Sequence, residues 1–249
     1  MNSRISQVGF SQRIRLEWVE YTGNLVLAGN ERSAVFAALQ DLLKDKVSVG
    51  GNARGCNRDK VIGILMKTWV NTSQELDALR VGGLELVRRL PHTQRIAVHW
   101  GMVMAAYPFW AAVAGAVGRL LKLQGSAAAA HVQRRIREQY GERETVSRAT
   151  RRVLRSYVDW GVLTETDSKG VYGQGVCLTV SDPGLASWLV EASLHVRPNG
   201  TATLKDILES PSLFPFRFQS ASIERTLTGS PRLEVLHLGL DEDVVALRR

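Results

Sequence analysis

The side chains that could do chemistry in this 249-residue chain are mostly arginines, and they are clustered. Between Arg119 and Arg155 stand ten basic residues (119, 122, 134, 135, 137, 143, 148, 151, 152, 155) and three acidic ones (138, 142, 144), which is +7 of the chain's +8. Guanidinium groups stay charged and donate paired hydrogen bonds to phosphate or carboxylate, so such a cluster suits a polyanion. Signatures of catalysis fail one by one. Gly50-x4-Gly55 has the spacing of a phosphate-cradling loop, but Cys56 and Asn57 stand where Lys and Ser/Thr would be needed. Gly173-Gln-Gly175 lacks the third glycine and the following helix of a dinucleotide fingerprint. The five histidines (92, 99, 131, 195, 237) show no ligand spacing with one another or with Cys56 and Cys177, and there is neither Cys-x-x-Cys nor Gly-x-Ser-x-Gly. No enzyme activity, metal or cofactor is expected. His99, on an apolar stretch, is expected to be a core residue with its nitrogens satisfied.

Three helices must position the arginines. Phe109–Leu123 places Trp110, Val113, Val117 and Leu120 at helical spacing; Ala127–Tyr140 stacks Val132, Ile136 and Tyr140; a third runs from about Glu144 to Trp160 and is closed by Gly161. With Val153 set at zero and about 100° per residue, Val146, Ala149, Tyr157 and Trp160 fall within about 40°, and Arg151, Arg155, Arg148 and Arg152 lie near 160°, 200°, 220° and 260°. With Val132 at zero, Arg137 and Arg134 lie at about 140° and 200°. One face is core and the other is arginine. The segments 161–166 and 171–180 read as strands around the turn-forming Asp167-Ser168-Lys169-Gly170. Glu138, Glu142 and Glu144 are spaced to neutralise some of these cations, and a solvated arginine surface is the plain alternative.

This order and charge face resemble the winged helix–turn–helix family over residues 109–180. In that architecture the third helix enters the major groove and the hairpin touches the flanking backbone. The resemblance implies groove or phosphate contacts for Arg148, Arg151, Arg152 and Arg155, backbone contacts for Arg134 and Arg137, and a wing contact for Lys169. A second resemblance, to BrxA-like proteins of the bacterial phage-defence systems called BREX, rests on NARGCNRDKVIGILMKTWV (52–70), AAYPFW (105–110) and RRVLRSYVDWGVL (151–163), over about residues 20 to 180. It implies a helical DNA-binding accessory protein without enzymatic activity, working with other proteins of the same system.

The fold class expected is mainly α (α+β). A helical N-terminal unit (1–95), the central helix–turn–helix with its wing (96–182) and a C-terminal α+β module (183–249) make up the chain. Ser33–Leu43, Asn57–Val70 (Asn57 as N-cap) and Leu76–Leu90 read as helices, with a β-like run and a glycine-rich loop before Asn57. Ile96–Gly118 is 23 residues without Asp, Glu, Lys or Arg, the length of a membrane span. Pro108 at its centre argues instead for two buried helices breaking at Tyr107-Pro108, because a residue before proline avoids the helical region. The C-terminal module reads as helices at 184–196, 203–209 and 222–228, an apolar connector (210–218) and a hairpin of 233–238 with 244–247. It can be a second winged helix or an irregular tail. Two distant cysteines and the absence of a signal-like leader point to the cytoplasm. Double-stranded DNA is the expected partner. An interaction scaffold docking an acidic protein, or a membrane-associated protein using 96–118, are the rivals.

Overall fold

The computed structural model describes residues 7–47, 56–219, 223–237 and 243–248. The protein is mainly α, with three small sheets among these residues. The N-terminal helices are α1 (Leu16–Leu27), α2 (Arg32–Leu43), α3 (Asn57–Trp69) and α4 (Asp77–Arg89), followed by α5 (His92–Ala106) and α6 (Pro108–Gln124). No helix is expected from the sequence at α1. Its run LEWVEYTGNLVL holds a glycine and a threonine in the interior, and it is packing of Trp18, Val19, Thr22 and Gly23 that keeps it helical. At α3 the expected cap is displaced by one residue: Cys56 is the N-cap and makes no side-chain capping bond. Asn57 instead accepts from Gln12 Nε2 at 2.9 Å. Of the β-like run and glycine-rich loop (46–57), residues 48–55 lie outside the described residues.

The chain turns at Tyr107-Pro108 as expected. Tyr107 is extended (φ −132°, ψ 86°), Pro108 opens α6, and the two helices are bent by 117°. Residues 96–118 are buried almost throughout. Among the described residues no single helix is long and apolar enough to cross a membrane. Because α5 runs from 92 to 106 without a break, a boundary at 95/96 falls inside a helix. One hydrophobic core runs from Phe10 to Val245.

After α6 come β1 (Ser126–Ala128), α7 (Ala129–Tyr140), α8 (Glu144–Asp159), β2 (Leu163–Glu165) and β3 (Val171–Gln174). The strands form an antiparallel sheet in the order β1-β3-β2. The β-prone run to Val180 does not continue the hairpin: β4 (Leu178–Val180) leaves it and pairs in parallel with β6 (Phe216–Phe218). The C-terminal part begins with α9 (Pro183–Leu194), whose N-cap Asp182 accepts from Leu185 N at 2.8 Å. It continues through β5 (Thr201–Thr203), α10 (Leu204–Leu208), a 3₁₀ turn (Pro211–Leu213), β6, α11 (Ile223–Thr228), β7 (Leu233–His237) and β8 (Asp243–Leu247). Here too a strand following the first helix pairs with the second strand of the hairpin, giving the order β5-β8-β7. Apart from the inserted connector, the element order of residues 108–174 therefore recurs in 183–247.

The connector 210–218 lies against the core. Trp100 donates to Ser212 O at 3.2 Å, and its ring lies 5.6 Å from Phe214 and 5.9 Å from Phe216. One ion pair ties the start of the C-terminal part to α4, and a second lies within that part. Arg89 meets both oxygens of Asp182 (2.7 and 2.8 Å), which holds that carboxyl below its ordinary pKa. Arg232 Nε meets the buried carboxylate of Glu191 at 2.8 Å. His99 is fully buried, as expected, but among the described residues neither ring nitrogen has a partner, and desolvation with nearby Arg95 and His92 pushes its pKa down to about 3.

Gly118 marks the closest approach of α6 to the connector, since a Cβ there would sit 2.1 Å from Pro211 O. Gly118→Ala should therefore lower stability by about 1–3 kcal/mol through overpacking. Gly63, helical and with nothing near a built Cβ, is the control: Gly63→Ala should raise stability by roughly 0.5–1 kcal/mol. Denaturant melts of the two variants check this, and a Gly118→Ala variant as stable as the parent would contradict the packing described.

Candidate nucleic-acid interface

The basic segment is built on α7 and α8. The i, i+4, i+8 stack of α7 is buried as its spacing predicts, with Val132, Ile136 and Tyr140 inside. Tyr140 lies edge-on to Phe109 (5.0 Å), and burial pushes its hydroxyl up to about 12. On α8, Val146, Ala149, Val153 and Tyr157 are buried, and Trp160 follows at the C-cap. The buried face is wider than the wheel suggests, because Ser147, Thr150, Leu154 and Ser156 are inside too. Thr150 and Ser156 satisfy their hydroxyls on the carbonyls of Val146 and Arg152 four residues back (2.9 and 3.0 Å).

Four contacts seat α8. Tyr157 donates to Trp110 O at 2.7 Å, and Trp160 Nε1 donates to Ile14 O at 3.2 Å. The segment before α1 runs along the helix: Ile14 N donates to Ser156 Oγ at 2.9 Å, and Arg13 makes a two-pronged ion pair with Asp159. That pair raises the Arg13 pKa further. Nothing in the spacing of residues 10–15 marks this long-range contact.

Gly161 ends α8 with φ +71°, a conformation that costs other residues free energy. The β2–β3 hairpin then folds back on the helix end. Gly175 N donates to Val162 O (2.9 Å) and Val176 N to Gly161 O (2.8 Å). A Cβ on Gly175 would sit 2.2 Å from Gly161 O, so this crossing requires glycine. The strand β1, absent from the sequence reading, supplies the third strand through Ala127↔Tyr172, and Ala129 N donates to Gly170 O at 2.8 Å.

The seven expected site residues fall into two groups. Arg134, Arg148, Arg151, Arg155 and Lys169 are exposed, and Lys169 sits in the turn of the hairpin. Arg137 and Arg152 are half-buried, and Arg137 Nε is buried without a partner among the described residues. Burial, followed by the charges of Arg148 and Arg151, holds the Arg152 guanidinium below its ordinary pKa. Arg148, Arg151 and Arg152 thus form one positive patch along α8. Much of the exposed group has carboxylate company. Glu144 lies 3.4 Å from Arg148 and 3.0 Å from Arg151, Glu138 lies 3.9 Å from Arg134, and Glu165 on β2 pairs with Arg155. The Glu144 and Glu138 pairings follow from helical spacing; the Glu165 pairing crosses from helix to strand and was not foreseen. Arg135, also exposed, lies outside the expected site, and among the described residues no carboxylate pairs with it.

Among the described residues no group of three or more His, Cys, Asp or Glu is arranged to hold a metal ion. Comparison with known proteins returns nothing: no protein-family model, no curated protein and no solved structure matches this chain.

Opposite faces of α8 should respond oppositely to mutation. Val153 is fully buried, so Val153→Asp places an unpaired carboxylate in the core and should cost several kcal/mol, about 3 or more. Arg151→Ala with Arg155→Ala removes only exposed ion pairs and should change stability by less than about 1 kcal/mol. Urea titrations of both variants would show it, and a severe loss in the arginine double variant would make that face structural.

Proposed function

We propose that the protein is a non-enzymatic binder of double-stranded DNA, using residues 108–174 as a winged helix–turn–helix with α8 as the recognition helix. The observation that carries this reading is the two-sidedness of α8. Its core face is locked by Tyr157, Trp160 and the segment before α1, and its other face presents Arg148, Arg151 and Arg155 to solvent with Arg152 between. A rigid helix with a row of guanidiniums on its outer face fits the major groove, and a hairpin carrying Lys169 beside it fits the flanking phosphates.

The ion pairs do not oppose this. Exposed pairs of this kind contribute about 0–1 kcal/mol, and a phosphate, held in a field of several cations, can replace Glu144 or Glu165 as partner. In the free protein the carboxylates pair with these arginines, and on DNA they become a small competing term. The wider setting, an accessory factor of a bacterial phage-defence system of the BREX type acting with other proteins of that system in the cytoplasm, follows from the sequence resemblance.

A fluorescence-anisotropy titration on duplex DNA at several salt concentrations tests the proposal. If about four arginines meet phosphates, log Kobs should fall against log[salt] with a slope near −3.6, from about −0.9 per phosphate. Arg151→Ala with Arg155→Ala should weaken binding by roughly tenfold or more, and Glu144→Gln with Glu165→Gln should strengthen it. A flat salt response, or an arginine double variant that binds as the parent does, would overturn the reading in favour of a scaffold that docks proteins.

A further inference from the structure

A second cationic feature lies away from α8. A cleft of about 250 Å³ opens between one face of α6, the C-terminal end of α7, the C-terminal end of α9 and the connector at 210–212. Its α6 wall is made of Pro108, Ala111, Ala112 and Gly115, small side chains that leave the space open. Beyond them Arg119 turns back toward the cleft, its Nη2 4.0 Å from where a Gly115 Cβ would stand. Among the described residues no carboxylate pairs with Arg119. The opposite wall holds Arg197, half-buried, whose Nη2 donates to the backbone carbonyl of Asp206 at 3.3 Å and whose charge is offset in part by the Asp206 carboxylate, which does not line the cleft. Between the walls lies Ser193. It is 2% exposed, and its hydroxyl is buried and has no partner among the described residues. Ser210 and Ser212 share one hydrogen bond at 2.9 Å, which leaves a second hydroxyl proton to donate.

These groups have one chemical complement. Two guanidiniums and several hydroxyl donors, with no carboxylate lining the cleft, ask for a compact acceptor of high negative charge. A buried serine hydroxyl without a partner is an uncommon cost, removed once an acceptor arrives. The volume admits a phosphate and a small organic body, and the apolar α6 wall offers that body a surface. We propose that this cleft binds a small phosphate ester, with its phosphate on Arg119, Arg197 and the Ser193 hydroxyl and its organic part on Ala111, Ala112 and Pro108. Because α7 belongs to the basic unit and α9 to the C-terminal part, the ligand bridges the two. The site stands apart from the DNA reading and survives its failure.

Isothermal titration calorimetry on the full chain provides the test, with inorganic phosphate, adenosine 5′-monophosphate and, as neutral control, adenosine. Inorganic phosphate and the monophosphate should each saturate one site, the monophosphate more tightly, while adenosine gives no binding. Arg119→Gln and Arg197→Gln should each weaken binding by about tenfold or more, the loss of a charge-assisted hydrogen bond. Ser193→Ala should weaken it by a smaller factor. The Arg151→Ala, Arg155→Ala variant should bind phosphate as the parent does, which separates this cleft from the α8 face. The proposal is overturned if neither anion saturates below about 10 mM, or if affinity follows Arg151 and Arg155 rather than Arg119 and Arg197. Arg119 is exposed and its variant keeps the test valid should Arg197→Gln fold poorly.

Discussion

Everything in this structure that bears on function hangs on the packing around one indole. Trp100 of α5 lies 5.2 Å from Trp110 of α6, 4.9 Å from Tyr157 of α8 and 6.1 Å from Trp160, with Phe214 and Phe216 of the connector on another side. Each such aromatic pair adds about 0.5–1.5 kcal/mol beyond the area it buries. The arrangement exists only because the chain bends by 117° at Tyr107-Pro108, which brings Trp110 back toward Trp100. A straight helix would carry the two rings along one rod, ten residues and about 15 Å apart. Proline at 108 therefore sets where α8 docks, and the docking of α8 sets where its arginines point.

Local signals in the sequence predicted local features well. The period of Val146, Val153 and Tyr157 against the arginines placed the two faces of α8, and the glycines at 141 and 161 marked the ends of α7 and α8. The residue before Pro108 marked the break. What stayed hidden was non-local. β1 is three residues of serine and alanine with little strand preference, and it is a strand only because β3 offers it partners. β4 left the hairpin because β6, nearly 40 residues later, supplied a parallel ladder. The contact of residues 13 and 14 with 156 and 159 spans more than 140 positions, and no periodicity encodes it. For the site, the exposure of Arg148, Arg151 and Arg155 was legible, whereas the half-burial of Arg152 came from a core face broader than a wheel centred on Val153 implies, and that of Arg137 on α7 was not legible in the spacing.

Two different electrostatic designs share the basic unit, and the second also draws on the C-terminal part. Along α8 the arginines are solvent-exposed and loosely neutralised by Glu144 and Glu165, which suits rapid exchange of partners on a long polyanion. In the cleft between α6 and α9 the cations are fewer, one is half-buried, and the donors include a serine hydroxyl removed from water. The first arrangement favours reach over selectivity, and the second favours one small ligand held by several groups. The recurrence of the same element order in the C-terminal part places the cleft where the two copies meet, so its occupant would act on their relative packing.

The central claim, that the outer face of α8 meets duplex DNA, is tested most directly by arginine-selective modification with phenylglyoxal, read by mass spectrometry with and without DNA. The account predicts that Arg148, Arg151 and Arg155 lose reactivity when DNA is added, while Arg32 and Arg88, exposed on the N-terminal helices, react unchanged. Unchanged reactivity of the α8 arginines in the complex, with protection falling on other arginines, would contradict it.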